Sequence, residues 1–317
     1  MNIIHPYHLP PGGTWLRGNL HTHTSRSDGR CEPQDVIDDY AERGYDFLMI
    51  SDHDRPAFSD ELASWNSRGM ILIGGNEVSS HGPHILHVHC GTKVEPHPDR
   101  QIVLDEIAND AQAFSIICHP NWWVPVKGDP PFAPPVTIPT IYGWQKYTGI
   151  EIFNGAGIRG HGSAYATDCW DYLLAAGRRV WGFANDDSHR TDRAASPGVL
   201  RYPDDTPLMR SDIAKGWNMV YCEKREPQAI VEAMRAGRFY ASTGVAIDQI
   251  AVEGGRIRIE ARNATRIVAI REAGRRLVQI DSCALEINYP KGAKYVRFEC
   301  FGANETMAWT QPFFPGE

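Results

Sequence analysis

An α/β fold followed by a small antiparallel β-domain is what this sequence predicts, and three observations carry the prediction. Short apolar runs alternate with amphipathic helical patterns through about residue 240. The runs are nearly continuous in apolar residues, as strands buried on both faces are. Beyond about Thr243 the helical patterns stop and short alternating segments replace them. The expected boundary therefore divides the chain into 1–242 and 243–317.

The buried strands are read at YDFLMI (45–50), MILIGG (70–75), FSIIC (114–118), GIEIF (149–153), RVWGFA (179–184) and NMVYC (218–222). Between them, PQDVIDDYAERG (33–44) places Val36, Ile37, Tyr40 and Ala41 on one stripe, with Pro33 near its start and Gly44 at its end. That is a helix opened by proline and closed by glycine. AYATDCWDYLLAAG (164–177) and PQAIVEAMRAG (227–237) repeat the form. Strand and helix alternating this often imply a parallel α/β fold, read here as a barrel. In the tail, RIRIEA (256–261), RIVAIRE (266–272), LEINY (285–289) and YVRFECFG (295–302) read as strands of a sandwich-like domain. NWWVPVKGDPPFAPPVTIPT (121–140) breaks the rhythm. Its six prolines argue against helix and central strand and leave a stiff loop directly after a strand.

The 317 residues are 42% hydrophobic and 22% charged, enough apolar material for a sizeable core. A net charge of −7 and a pI near 6.0 give no basic footprint for nucleic acid or a membrane surface. No apolar run is long enough to span a bilayer, and MNIIHPYHLPPGG lacks the pattern of a signal peptide. Seven scattered cysteines without a C-x-x-C suit reduced thiols, so the expected compartment is the cytoplasm.

The chemistry-bearing residues concentrate at the carboxyl ends of the predicted strands. His21 and His23, in LRGNLHTHTSRSDG (16–29), leave the same face of an extended chain, with Asp28 close behind. Asp52-His53-Asp54 ends one run, Glu77 a second, His119 a third, and Asp187 with His189 a fourth. HILHVH (84–89) adds a strand in which His87 and His89 share a face. Singly, each has an ordinary explanation as a helix cap or a hydrogen-bonded structural residue. Together they fall where parallel α/β barrels assemble active sites. Imidazole with carboxylate suits Zn, Mn or Fe and needs no thiolate, so the cysteines, Cys118 included, read as small buried hydrophobes.

The ordered series H-x-H, S-D-G, D-H, E, H and D-x-H, running from His21 to His189, resembles the PHP (polymerase and histidinol phosphatase) metallohydrolase superfamily. LRGNLHTHTSRSDG and GRFYASTG, with a tail ending MAWTQPFF, look most like the branch that includes carbaryl-hydrolase-type enzymes. The resemblance implies a distorted (β/α)7-type barrel holding two or three divalent ions (Zn, Mn or Fe). Carried over by motif, His21, His23, Glu77 and Asp187 would hold the first ion. Glu77 would bridge to a second, completed by His119 and a histidine of HILHVH, and Asp28, His53 and His189 would hold the third. Within HILHVH, His87 suits the family spacing, His89 lies on the same face as the alternative, and His84 points the other way. Asp52, Asp54 and Asp186 would orient imidazoles from behind.

Paired ions can hold a bridging hydroxide and clamp both oxygens of a displacement. The leading expectation is a metal-dependent phosphoesterase acting on a small phosphorylated substrate, with that hydroxide as nucleophile. A carboxylic or carbamate ester hydrolase using the same ions and a non-catalytic metal-binding domain are the alternatives. Arg26, Arg159 and Arg190 stand in or beside strand-end loops, as phosphate ligands or as ordinary surface arginines. His161 is read as a proton donor to the leaving group or as a plain loop histidine. Trp122 and Trp123, at the root of the proline-rich loop, offer faces to a bulky leaving group or else cover the barrel rim.

Overall fold

The computed structural model describes residues 2–122, 136–159, 162–191 and 211–316, with Arg159 in its backbone alone. The strands predicted from apolar runs are present and fall into two principal sheets. The first runs in the order Arg275–Ile280, Ala264–Arg271, Arg297–Gly302, Met307–Thr310, Phe239–Ser242, Trp217–Cys222, Thr14–Asn19, Phe47–Met49, Ile71–Ile73. The second runs Gly75–Val78, Ile85–Val88, Phe114–Ile117, Gly149–Asn154, Trp181–Asn185.

Parallel pairing links Thr14–Asn19, Phe47–Met49 and Ile71–Ile73, and again Phe114–Ile117, Gly149–Asn154 and Trp181–Asn185. Other pairs are antiparallel. Gly75–Val78 and Ile85–Val88 are joined by residues 79–84 alone, too short for the crossover that a parallel pair needs. Trp217–Cys222 also runs against Thr14–Asn19. The two sheets approach each other through the isolated bridges Thr22–Ser188 and His53–Glu77 rather than a continuous ladder. The architecture is the α/β fold expected, with mixed rather than wholly parallel sheets flanked by helices.

Helices Pro33–Glu42, Thr167–Ala175 and Pro227–Arg235 bury the stripes that predict them, through Val36, Ile37 and Tyr40, Trp170 and Leu173, and Ile230 and Val231. The stretch 121–140 needs correction at its end. Ile138–Gly143 is a helix, capped by the Thr137 side chain on the Thr140 amide. Pro139 lies in its first turn, where a missing N–H leaves no hydrogen bond unmade. Residues 123–135, with Trp123, lie outside the described residues.

The tail is β-rich, as its alternation predicts. Ile247–Glu253, Arg256–Ala261 and Ala284–Asn288 form a third, antiparallel sheet. It packs on the first sheet through a core that includes Ile257, Ile259, Ile267, Phe298 and Phe313. Met307–Thr310 pairs with Phe239–Ser242, so the first sheet runs through the boundary expected at residue 242 without a break. Between the two principal sheets, Leu16, Phe47, Met49, Ile73, Leu86, Val88, Phe114, Ile116 and Cys118 form an apolar interior. The polar strand ends emerge at one rim of it.

Candidate metal centre

Glu77, at the end of its strand and with its side chain 1% exposed, is the hub of the rim. Its Oε1 lies 3.3 Å from His21 Nε2, 2.9 Å from His84 Nδ1 and 3.3 Å from His119 Nε2. Its Oε2 lies 2.8 Å from His53 Nδ1 and 3.4 Å from His23 Nε2. Asp187 Oδ1 stands 3.4 Å from His21 Nε2 and 3.1 Å from His23 Nε2. On the open side, Asp28 reaches His189 Nε2 at 3.3 Å and His53 Nε2 at 3.6 Å. His119 and Asp187 hold φ of 26° and 50°, left-handed backbone that turns each side chain inward just after its strand.

The Asp28 loop is held from below by Asp52. Its carboxylate accepts from the Thr24 amide (2.7 Å), Thr24 Oγ1 (2.8 Å), Ser27 Oγ (2.7 Å) and Arg26 (3.2 Å). Gly29 closes the loop where only glycine fits, since a Cβ there would stand 2.5 Å from the His23 carbonyl group. Arg26 also bonds Glu61 at 2.7 Å and the Pro56 carbonyl, so it braces this loop instead of facing a substrate.

The donor set fits metal ions. His21 Nδ1 lies 2.8 Å from Glu151 Oε1. Burial opposes ionisation of Glu151, but His21 and its hydrogen bond outweigh burial and lower the pKa, so Glu151 acts as an acceptor. His21 Nδ1 therefore faces an acceptor, and Nε2 faces oxygens of Glu77 and Asp187 with no hydrogen-bond geometry to either. His23 Nδ1 and Nε2, His53 Nδ1 and Glu77 Oε2 are likewise buried without partners. Donors about 2.0–2.1 Å from a tetrahedral ion stand about 3.3 Å from one another, which is the spacing of His21, His119 and His23 from Glu77. Burial disfavours a charged His21, yet Asp187, Glu77 and Glu151 together raise its pKa well above the usual value. Burial and the neighbouring His189 push His23 down to about 4. Against burial, His21, His84 and His53 hold Glu77 well below the usual carboxylate range. The cluster lowers the energy of a cation at its centre.

By mutual donor distances within 4.8 Å, His23, Asp28, His53 and His189 form one set, and His21, His23 and Asp187 another. His53, Glu77 and His84 form a third, while Cys118 joins Glu77 and His119, and also His21 and Glu151. Cys118 thus lies at the floor of the cluster, not merely in the apolar interior.

Several sequence expectations change. His84, not His87, is the histidine of HILHVH at Glu77, because His84 shares the inner face with Leu86 and Val88. His87 points to the outer face, where neither ring nitrogen has a partner. His89, the alternative, bonds the Gln112 carbonyl at 3.4 Å and is absent from every donor set among the described residues. Asp52, Asp54 and Asp186 also do not orient imidazoles, Asp52 binding Thr24, Ser27 and Arg26 instead. Asp54 binds Ser79 and Ser80, and Asp186 binds the amides of Ala214, Lys215 and Gly216 and the Tyr40 hydroxyl. The carboxylate in contact with an imidazole from behind is Glu151, 2.8 Å from His21 Nδ1, which sequence reading missed although an acid inside the apolar run GIEIF marks it.

Trp122 stands edge-on to His119 with ring centroids 4.9 Å apart. Arg190 follows His189 on the rim, and its carbonyl accepts from the Asp212 amide at 3.0 Å. His161 lies outside the described residues, as does the side chain of Arg159.

No family model matches the chain. A curated relative, the 3',5'-nucleoside bisphosphate phosphatase of Chromobacterium violaceum, is 36% identical over 80 residues. That match spans 25% of this chain and 28% of the relative's length. Among solved structures, a two-domain protein containing a predicted PHP-like metal-dependent phosphoesterase from Bacteroides vulgatus matches over 96% of this chain and 97% of its own. Its TM-score is 0.53 at 16% identity. A putative metal-dependent phosphoesterase from Bifidobacterium adolescentis matches 63% of this chain and 94% of its own, with TM-score 0.39 and 14% identity. Among the described residues no helix is long and apolar enough to cross a membrane. The chain shares its fold with that two-domain protein from Bacteroides vulgatus, and clustered His, Asp, Glu and Cys groups able to bind metal stand at its rim.

Proposed function

We propose that this chain is a metal-dependent phosphoesterase that hydrolyses a small phosphorylated molecule. His21, His23, Asp28, His53, Glu77, His84, His119, Asp187 and His189 would hold two or three zinc, manganese or iron ions. The observation that carries the reading is His21 Nε2, buried 3.3 Å from a Glu77 oxygen and 3.4 Å from an Asp187 oxygen with hydrogen-bond geometry to neither. When bound, such ions activate water and neutralise charge that builds on phosphoryl oxygens.

The chain's own groups divide the work by exposure. His21, His23 and Glu77 are sealed and would hold the ions from within. Asp28, with its side chain 55% exposed, His53 and His189 form the open side through which substrate enters. Arg190, next to His189 in sequence, would meet a phosphate there. Trp122 backs His119 and limits how that ring can turn. The phosphatase activity of the Chromobacterium relative favours a phosphomonoester over other esters.

The test is a panel of phosphomonoester, phosphodiester, carboxylester and carbamate substrates on chelator-treated protein reloaded with each metal. Phosphomonoester turnover that chelation removes and metal restores is expected. Turnover confined to the carbamate, the substrate that the likeness to carbaryl-hydrolase-type enzymes implies, would overturn the reading. So would tight metal binding with no turnover.

A further inference from the structure

Glu151 lies beneath the cluster, 1% exposed, and its two oxygens have different duties. Oε2 accepts the His119 amide at 2.8 Å and Asn154 Nδ2 at 2.8 Å. Oε1 accepts His21 Nδ1 at 2.8 Å and Asn185 Nδ2 at 2.9 Å. Neither asparagine can turn its amide round. Asn154 Oδ1 already accepts the amides of Ala156 and Gly157, and Asn185 Oδ1 accepts the Leu20 amide and Asn218 Nδ2. Four donors thus converge on one carboxylate, and three of them are fixed as donors whatever His21 does.

We infer that Glu151 is a positioning residue that locks His21 in the Nδ1–H tautomer and so keeps Nε2 free as a metal ligand. It also holds the backbone of His119 and, through Asn154 Nδ2 at 3.2 Å from Asp187 Oδ2, the carboxylate of Asp187. One buried acid therefore aligns three groups that surround the ion site. The inference rests on the metal centre of the proposed function but on no choice of substrate.

Glutamine at this position separates charge and tautomer from packing, because it keeps the shape. Its single amide oxygen can serve only one pair of donors. If it stays with the His119 amide and Asn154, its NH2 faces His21 Nδ1, which must then accept. The ring proton moves to Nε2, where it blocks the ion. Histidine-selective 15N NMR of the zinc-loaded protein reads this directly.

The wild type should show a protonated His21 Nδ1 and an unprotonated Nε2. In Glu151→Gln competition with a chelator should show zinc held about 10- to 100-fold more weakly, and the fraction whose His21 holds no zinc should show a protonated Nε2. Glu151→Asp, still an acceptor, should keep the wild-type tautomer. A wild-type His21 protonated at Nε2 overturns the inference without any variant. A folded Glu151→Gln with unchanged tautomer and zinc affinity does so too. Both readouts are independent of turnover, so failure of the phosphoesterase reading shows in the substrate panel alone.

Discussion

Three neighbouring strands, Gly75–Val78, Ile85–Val88 and Phe114–Ile117, carry two buried faces that treat polar side chains in opposite ways. On the inner face Glu77 stands opposite Leu86 and meets five imidazoles, those of His21, His23, His53, His84 and His119. On the outer face Asn76, His87 and Ser115 form one cross-strand row. All three are buried, and the amide atoms of Asn76, the ring nitrogens of His87 and Ser115 Oγ have no partner. Val78, Ile85 and Ile117 flank the row and pack with Val103, Leu104 and Ile107. His84 and His87 are three residues apart and both largely buried, yet only His84 faces a carboxylate at contact distance. Burial of a histidine does not make a ligand; a fixed anion on the same face does.

The hub of the inner face is the place to break that contrast hardest. Glu77→Gln removes the charge that five imidazoles share. At least two ions per chain should copurify with the wild type and fall together in the variant, with hydrolysis down by about 100-fold. Metal analysis of the untreated proteins checks it, and an undiminished content would remove Glu77 from the centre.

The two histidines sharpen the contrast next. His84→Ala should weaken metal retention by about 10- to 100-fold. His87→Ala should leave metal stoichiometry unchanged and lower the melting temperature instead. Metal loss on changing His87 with none on changing His84 would reverse the assignment made here.

Much of this arrangement is legible in sequence. Apolar runs locate the strands, and the order of polar residues at their ends locates the rim. Which histidine of HILHVH faces inward is less legible, because alternation pairs residues by face but does not say which face is inside. The tertiary clue is the register that sets Glu77 opposite Leu86, placing His84 with the inner residues. Glu151 is hidden for another reason. A strand buried on both faces shows no alternation, so an acid within GIEIF gives no sign of what it meets. The unbroken sheet across residue 242 was beyond reach as well, since Met307–Thr310 and Phe239–Ser242 are distant in sequence.

Acid titration tests the outer face by a smaller effect. Burial pushes the His87 pKa from 6.5 down to about 4, with Asp110 acting in the opposite direction. In the unfolded chain His87 takes up a proton near its ordinary value, while in the folded chain it stays neutral until near pH 4. Between those values the unfolded state binds more protons, so stability falls as pH drops through the window and is complete above it. The full span corresponds to about 3 kcal/mol. His87→Leu puts an apolar side chain in the row and removes this titration. His5 and His23, also shifted down to about 4, are present in both proteins and cancel in the comparison. Denaturant melts of the two metal-free proteins between pH 7 and pH 4 should therefore diverge, with the wild type losing up to about 3 kcal/mol more than His87→Leu. Parallel losses would mean that His87 titrates in the folded chain as it does in water. The outer row would then be hydrated, and the two faces would differ in their anion alone.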